Sequence, residues 1–157
     1  MKNILVAFVV CCIQVVAFAQ SKIEKQLQGT WKMTEMNVGG VYANAVTQQI
    51  TMSKELESQL TPEKRAVFNT NKQAVLDNIG ASRVMFNGNK ISYTITGSDN
   101  EGTYIVKPQT DGYILDITDG NGSKDSLAIA IKDGKLWILK IDDVNHAELV
   151  FTKLAVK

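Results

Sequence analysis

The second half of this chain constrains it most. From residue 83 onward, short apolar-alternating segments follow one another at even intervals. Arg83–Asn87, Lys90–Thr96, Thr103–Lys107, Tyr113–Thr118, Ser126–Lys132, Leu136–Ile141 and Ala147–Lys153 each read as a strand. Asn87-Gly88-Asn89, Gly97 to Gly102, Asp111-Gly112, Asp119 to Gly122, Asp133-Gly134 and Asp142 to Asn145 separate them. Glycine, asparagine and aspartate are the residues that tight hairpins require. Ahead of this meander, Thr30 to Met36 alternates in the same way, with Trp31 and Met33 on one face and Lys32 and Thr34 on the other. Eight strands joined by short turns predict an all-β, antiparallel up-and-down barrel, because closure removes the two exposed sheet edges.

Strand parity assigns the faces. Val84 and Phe86 point inward with Ile91, Tyr93 and Ile95, Tyr104 and Val106, and Tyr113, Leu115 and Ile117. Leu127, Ile129 and Ile131, with Leu149 and Phe151, continue the series; Ser92, Thr94, Asp116, Ser126 and Thr152 face solvent. Leu136-Trp137-Ile138-Leu139 is apolar on both faces, so another element is expected to cover its outer side.

That element lies in the insertion between the first two barrel strands, at about 53–80. Ser53 is placed to cap a short helix through Leu60. Thr61-Pro62-Glu63 starts a second one with a hydroxyl cap, a proline at the first helical position and an acid in the first turn. Phe68, Val75, Leu76 and Ile79 follow at helical spacing, and Gly80 is the expected C-terminal cap. The apolar stripe suits packing against the outside of Leu136 and Ile138, or a lid over the barrel mouth. Val41-Tyr42 and Gln49 to Thr51 are candidate short extended pieces, and Ile23 and Leu27 allow one helical turn in the lead-in.

The first 19 residues read as an export signal. Lys2 gives a positive start, Ile4 to Val16 an apolar run, and Ala17-Phe18-Ala19 a cleavage pattern before Gln20. The run is too short for a transmembrane span of about 20 residues. Cys11 and Cys12 lie within it, so a chain beginning at Gln20 has no cysteine and no disulfide. Residues 20–157 then form one domain of 138 residues, enough for a sizeable core. Without Lys2 the charges balance at 16 basic and 16 acidic side chains, with no basic block. That composition argues against nucleic acid as a partner.

Gly29-x-Trp31 on the first strand, followed by an antiparallel meander of this length, resembles the lipocalin-like domains of exported bacterial proteins, in the calycin superfamily. The resemblance implies that Trp31 lies across the closed barrel end with a basic side chain over it. Lys153, on the last strand, matches that position where the family usually has arginine. It further implies non-catalytic binding of a small apolar or amphipathic ligand inside the barrel.

Phe86, Tyr93, Tyr104, Tyr113, Leu115, Ile129 and Phe151 are the candidate ligand-binding residues, as inward side chains with a few hydroxyls to orient a guest. The same side chains could instead fill the barrel, since eight strands enclose a space that side chains can occupy. A filled barrel would act as a protein-interaction or inhibitor module of the cell envelope. No catalytic set stands out. His146 is the single histidine, in a polar turn without cysteine or histidine partners, and no serine has a nucleophile-elbow context. Asp119 to Asp125 spaces its oxygens like a calcium loop, but Lys124 and Ala130 stand where that motif needs glycine and glutamate. No metal or cofactor is expected.

Overall fold

The computed structural model describes residues 22–95, 97–141 and 146–155, apart from the side chains of residues 140 and 141. The segment expected to be an export signal, with Cys11 and Cys12, and the expected turn from Asp142 to Asn145 lie outside the described residues. A helix over 22–27 (α1) leads in. There follow β1 (Gly29–Val38), β2 (Val41–Asn44), β3 (Gln49–Met52), α2 (Lys54–Gln59) and α3 (Pro62–Ala81). Seven strands complete the chain: β4 (Arg83–Asn87), β5 (Lys90–Ile95), β6 (Ser98–Gln109), β7 (Gly112–Asp119), β8 (Lys124–Lys132), β9 (Lys135–Ile141) and β10 (His146–Lys153).

From β4 to β10 each strand pairs antiparallel with the next, and β10 pairs with β1. With β1 paired to β4, eight strands close into the expected barrel, and β2 and β3 extend it outside the ring. β1 serves two partners on one edge: Gly29–Lys32 pair with β4, and Glu35–Val38 with β2. The exchange happens at a bulge at Thr34, where the β1–β10 register shifts between Met33 and Glu35. Backbone groups freed there find other partners. Met33 N–H donates to the Ser82 carbonyl at 3.1 Å, and the Thr34 carbonyl accepts from Ala45 N–H at 2.9 Å. The buried Thr34 hydroxyl donates to the Val150 carbonyl at 3.2 Å.

Both helix starts follow the sequence. Ser53 Oγ accepts from Leu56 N–H at 3.2 Å, and Thr61 Oγ1 accepts from Lys64 N–H at 3.4 Å. The end of α3 differs from the expectation. Gly80 stays helical and Ser82 is the C-cap, its N–H bonded to the Asn78 and Ile79 carbonyls. Position 80 does not adopt a left-handed turn, and a Cβ there would make only ordinary contact, 4.0 Å from that of Ala45. Leu76 and Ile79 are the buried residues of α3, and the helix packs against β1, β2, β3 and β5.

This placement corrects the expected packing on the outside of Leu136 and Ile138. Those two side chains are themselves buried inside the barrel, and Trp137 and Leu139 are the outward pair, left half-buried. β1 draws the helix away, because its upper half needs cover where β4 has ended. The turn expected from Gly97 to Gly102 also shrinks, since Ile95 pairs directly with Ser98 and β6 begins there. Polar residues 98–101 are exposed on both faces at the barrel rim, so backbone pairing holds them in the sheet without an apolar pattern.

Candidate functional site

The barrel has a packed end and a hollow end. At the packed end Trp31, Phe86, Val106, Leu136 and Phe151 are all at most 2% exposed, and Ile23 and Leu27 of α1 plug the opening beneath them. Trp31 Nε1–H donates to the Leu27 carbonyl at 2.7 Å, fixing the indole against the helix. Lys153 Nζ stands 5.1 Å from the Trp31 ring centre and donates to the Gln26 carbonyl at 2.8 Å. The ammonium thus meets both the ring face and a carbonyl at the C-terminal end of α1, two favourable sites for a cation. Gly29 leaves room for it: its φ is +106°, and a Cβ there would lie 3.3 Å from Lys153 Cε.

Tyr104 belongs to this floor. Its ring meets Phe86 edge-on at 5.1 Å, and its hydroxyl donates to the Gly88 carbonyl at 2.9 Å while accepting from Gln28 at 3.0 Å. Burial pushes its phenol pKa up from the ordinary value.

Above the floor lies a cavity of about 470 Å³. Val84, Ile91 and Tyr93 form one side, and Leu115, Ile117, Leu127, Ile138 and Leu149 the other. Ile95, Ala147, Asp119 and residues 123–125 frame the opening. The volume lies in the range that small-molecule sites use. Among the described residues, the polar part of the frame comes from one hairpin, β7–β8. That hairpin is internally braced: Asp119 Oδ1 accepts from Asn121 N–H at 2.9 Å and from Ser123 N–H at 2.8 Å. The Asp119 carboxylate thereby serves the turn. Among the described residues no group of three or more potential metal-ligating side chains occurs.

The seven candidate ligand-binding residues divide between the two ends. Tyr93 and Leu115 are in the cavity wall. Phe86, Tyr104, Ile129 and Phe151 are buried in the packed core, and Tyr113 is half-buried against it. Gly29, Trp31 and Lys153 meet at the closed end. Ile95, Ile117, Leu127 and Leu149 share the inward parity but were not singled out in sequence. Their distance along each strand from the mouth-side turns was the signal that would have found them.

Two ion pairs stand on the outer wall. Lys135 meets Glu35 at 2.7 Å, and that hydrogen bond holds the Glu35 carboxyl below its ordinary pKa and the Lys135 ammonium above its own. The Lys107 ammonium likewise lowers the Asp116 carboxyl. His146, the first residue of β10, is exposed. No helix among the described residues is long and apolar enough to cross a membrane.

No protein-family model and no curated protein matches the chain. Solved structures similar to it include a DUF4847 family protein from Bacteroides vulgatus ATCC 8482, at 14% identity and a TM-score of 0.49, covering 85% of this chain and 99% of that one. The fluorescent protein UnaG is similar at 16% identity and a TM-score of 0.38, covering 83% of this chain and 98% of that one. The chain is described by its own architecture: a closed eight-stranded antiparallel barrel, packed at one end and hollow at the other.

Proposed function

We propose that this is an exported, non-catalytic binding protein that holds a small apolar or amphipathic molecule in the barrel cavity. One observation carries the reading: a space of about 470 Å³, walled by Val, Ile and Leu side chains, above a floor that is already fully packed. A protein that needed a solid barrel for stability would lose contacts across such a space. A guest would restore them, gaining roughly 0.8 kcal/mol for each CH₂ it buries. The non-catalytic part is supported by the chemistry of the walls, which are hydrocarbon apart from the phenol of Tyr93. Export is supported by Lys2, the run from Ile4 to Val16 and Ala17-Phe18-Ala19.

Native mass spectrometry of the protein from its own cells, without detergent, tests the reading. A stoichiometric adduct of small-molecule mass, lost on unfolding and absent from a Leu127→Trp variant, is the expected result. A clean apo mass that a mixed lipid extract leaves unchanged would refute it. That result would favour the protein-interaction alternative, which has one observation of its own: the outward, half-buried pair Trp137 and Leu139.

A further inference from the structure

We infer that the ligand is an amphiphile with a single polar end, which enters tail first beside the β7–β8 hairpin while α3 stays in place. The inference rests on the binding reading above and adds the class of ligand and its route. Among the described residues the charged groups of the cavity stand at one end, Asp119 and residues 123–125 at the mouth. Tyr93, level with its strand partner Val84, adds a single phenol to the side wall. Deeper in, Leu115 and Ile138 present only hydrocarbon. A hydroxyl driven to that depth would lose its water and gain no partner, which weakens binding by roughly ten- to a hundredfold.

The route follows from what does not line the cavity. No residue of α2, α3 or β1–β3 contributes to its described walls. α3 is pinned elsewhere, by buried Leu76 and Ile79 and by the Met33 N–H bond to the carbonyl of its C-cap Ser82. The β7–β8 side of the mouth, by contrast, is preformed. Asp119 N–H donates to the Ser123 carbonyl at 2.9 Å, and Gly120 N–H donates to the Glu101 carbonyl at 3.2 Å, tying the hairpin to β6. A ligand can therefore pass without displacing the helix.

Two isomeric diols test the ligand class, each displacing the neutral fluorophore N-phenyl-1-naphthylamine from the full chain. 1,2-Decanediol carries both hydroxyls at one end, and 1,10-decanediol carries one at each end. Their composition is the same, so overall polarity cannot separate them. The 1,2-isomer is expected to bind at least tenfold more tightly. Equal affinity, or preference for the 1,10-isomer, would overturn the single-headed class while leaving cavity binding intact. Failure of the fluorophore and both diols to bind would overturn the binding reading and this inference with it.

A disulfide tests the route. The Cβ separation of 4.0 Å between Ala45 and a residue at 80 suits a bridge. Ala45→Cys with Gly80→Cys, in a chain carrying Cys11→Ser and Cys12→Ser, should exchange the fluorophore at the same rate, within twofold, whether oxidised or reduced. Ala147→Trp, which narrows the mouth, should slow exchange at least tenfold. Exchange that stalls when the bridge closes, or that ignores Ala147→Trp, would overturn the route.

Discussion

Placing a tryptophan at Leu127 and, separately, at Phe86 distinguishes a hollow region of this barrel from a packed one. Leu127 is half-buried and faces the cavity. An indole there enters existing space, so no neighbour is forced from its rotamer. Stability should change by less than about 1 kcal/mol, while affinity for N-phenyl-1-naphthylamine falls more than tenfold because the guest's volume is taken. Phe86 is 2% exposed and locked edge-on against Tyr104. The same enlargement there has nowhere to go, and overpacking of this kind costs about 1–3 kcal/mol. Urea unfolding followed by circular dichroism resolves the two. With a slope of about 1–3 kcal/mol per molar urea, Phe86→Trp should lower the midpoint by roughly 1 M and Leu127→Trp by much less. Equal losses at the two sites would refute the reasoning, since the wall at Leu127 would then be as closely packed as the floor.

Lys153→Met removes the cation from the Trp31 ring and the donor from the Gln26 carbonyl. It should cost about 1–2 kcal/mol in urea unfolding, with Lys153→Arg recovering most of it. Ile23→Ala opens the plug at the closed end and should cost about 2–5 kcal/mol, the range for truncating a large buried aliphatic side chain. Glu35→Gln tests the outer ion pair through its pH dependence. The depressed Glu35 carboxyl adds stability above its unfolded pKa and loses it as pH falls through the folded value. The raised Lys135 ammonium adds stability below its unfolded pKa and loses it as pH rises through the folded value. The variant should thus be less stable near pH 7 by under about 1 kcal/mol, since the pair is partly exposed, and the deficit should shrink as pH falls below the ordinary carboxylate range.

Much of this architecture was legible in the sequence because period-2 alternation and turn chemistry are local signals. They placed eight barrel strands, and Ser53, Thr61 and Pro62 marked both helix starts. The closed end was not among these local signals; it was implied only by the resemblance that Gly29 and Trp31 carry. What parity cannot give is depth. Phe86 and Tyr93 share a face, yet one is buried in the packed floor and the other lines the cavity, because height along a tilted strand depends on register with its neighbours. Position 80 misled as well. A glycine after a helical run signals a cap, but the helix runs on to Ala81 and Ser82 caps it. The helix location was also non-local: the apolar outer face of β9 advertised a need for cover, and the divided edge of β1 took the helix instead.

Methyl NMR with the guest added tests the central claim most directly. Isotope-labelled methyl groups report on Ile117, Leu127 and Leu149 around the cavity, and on Val106 and Leu136 in the floor. Titration with 1,2-decanediol should shift the first set saturably and leave the second near its starting positions. Shifts spread evenly over both sets, or none at either, would contradict a barrel built hollow at one end to hold a ligand.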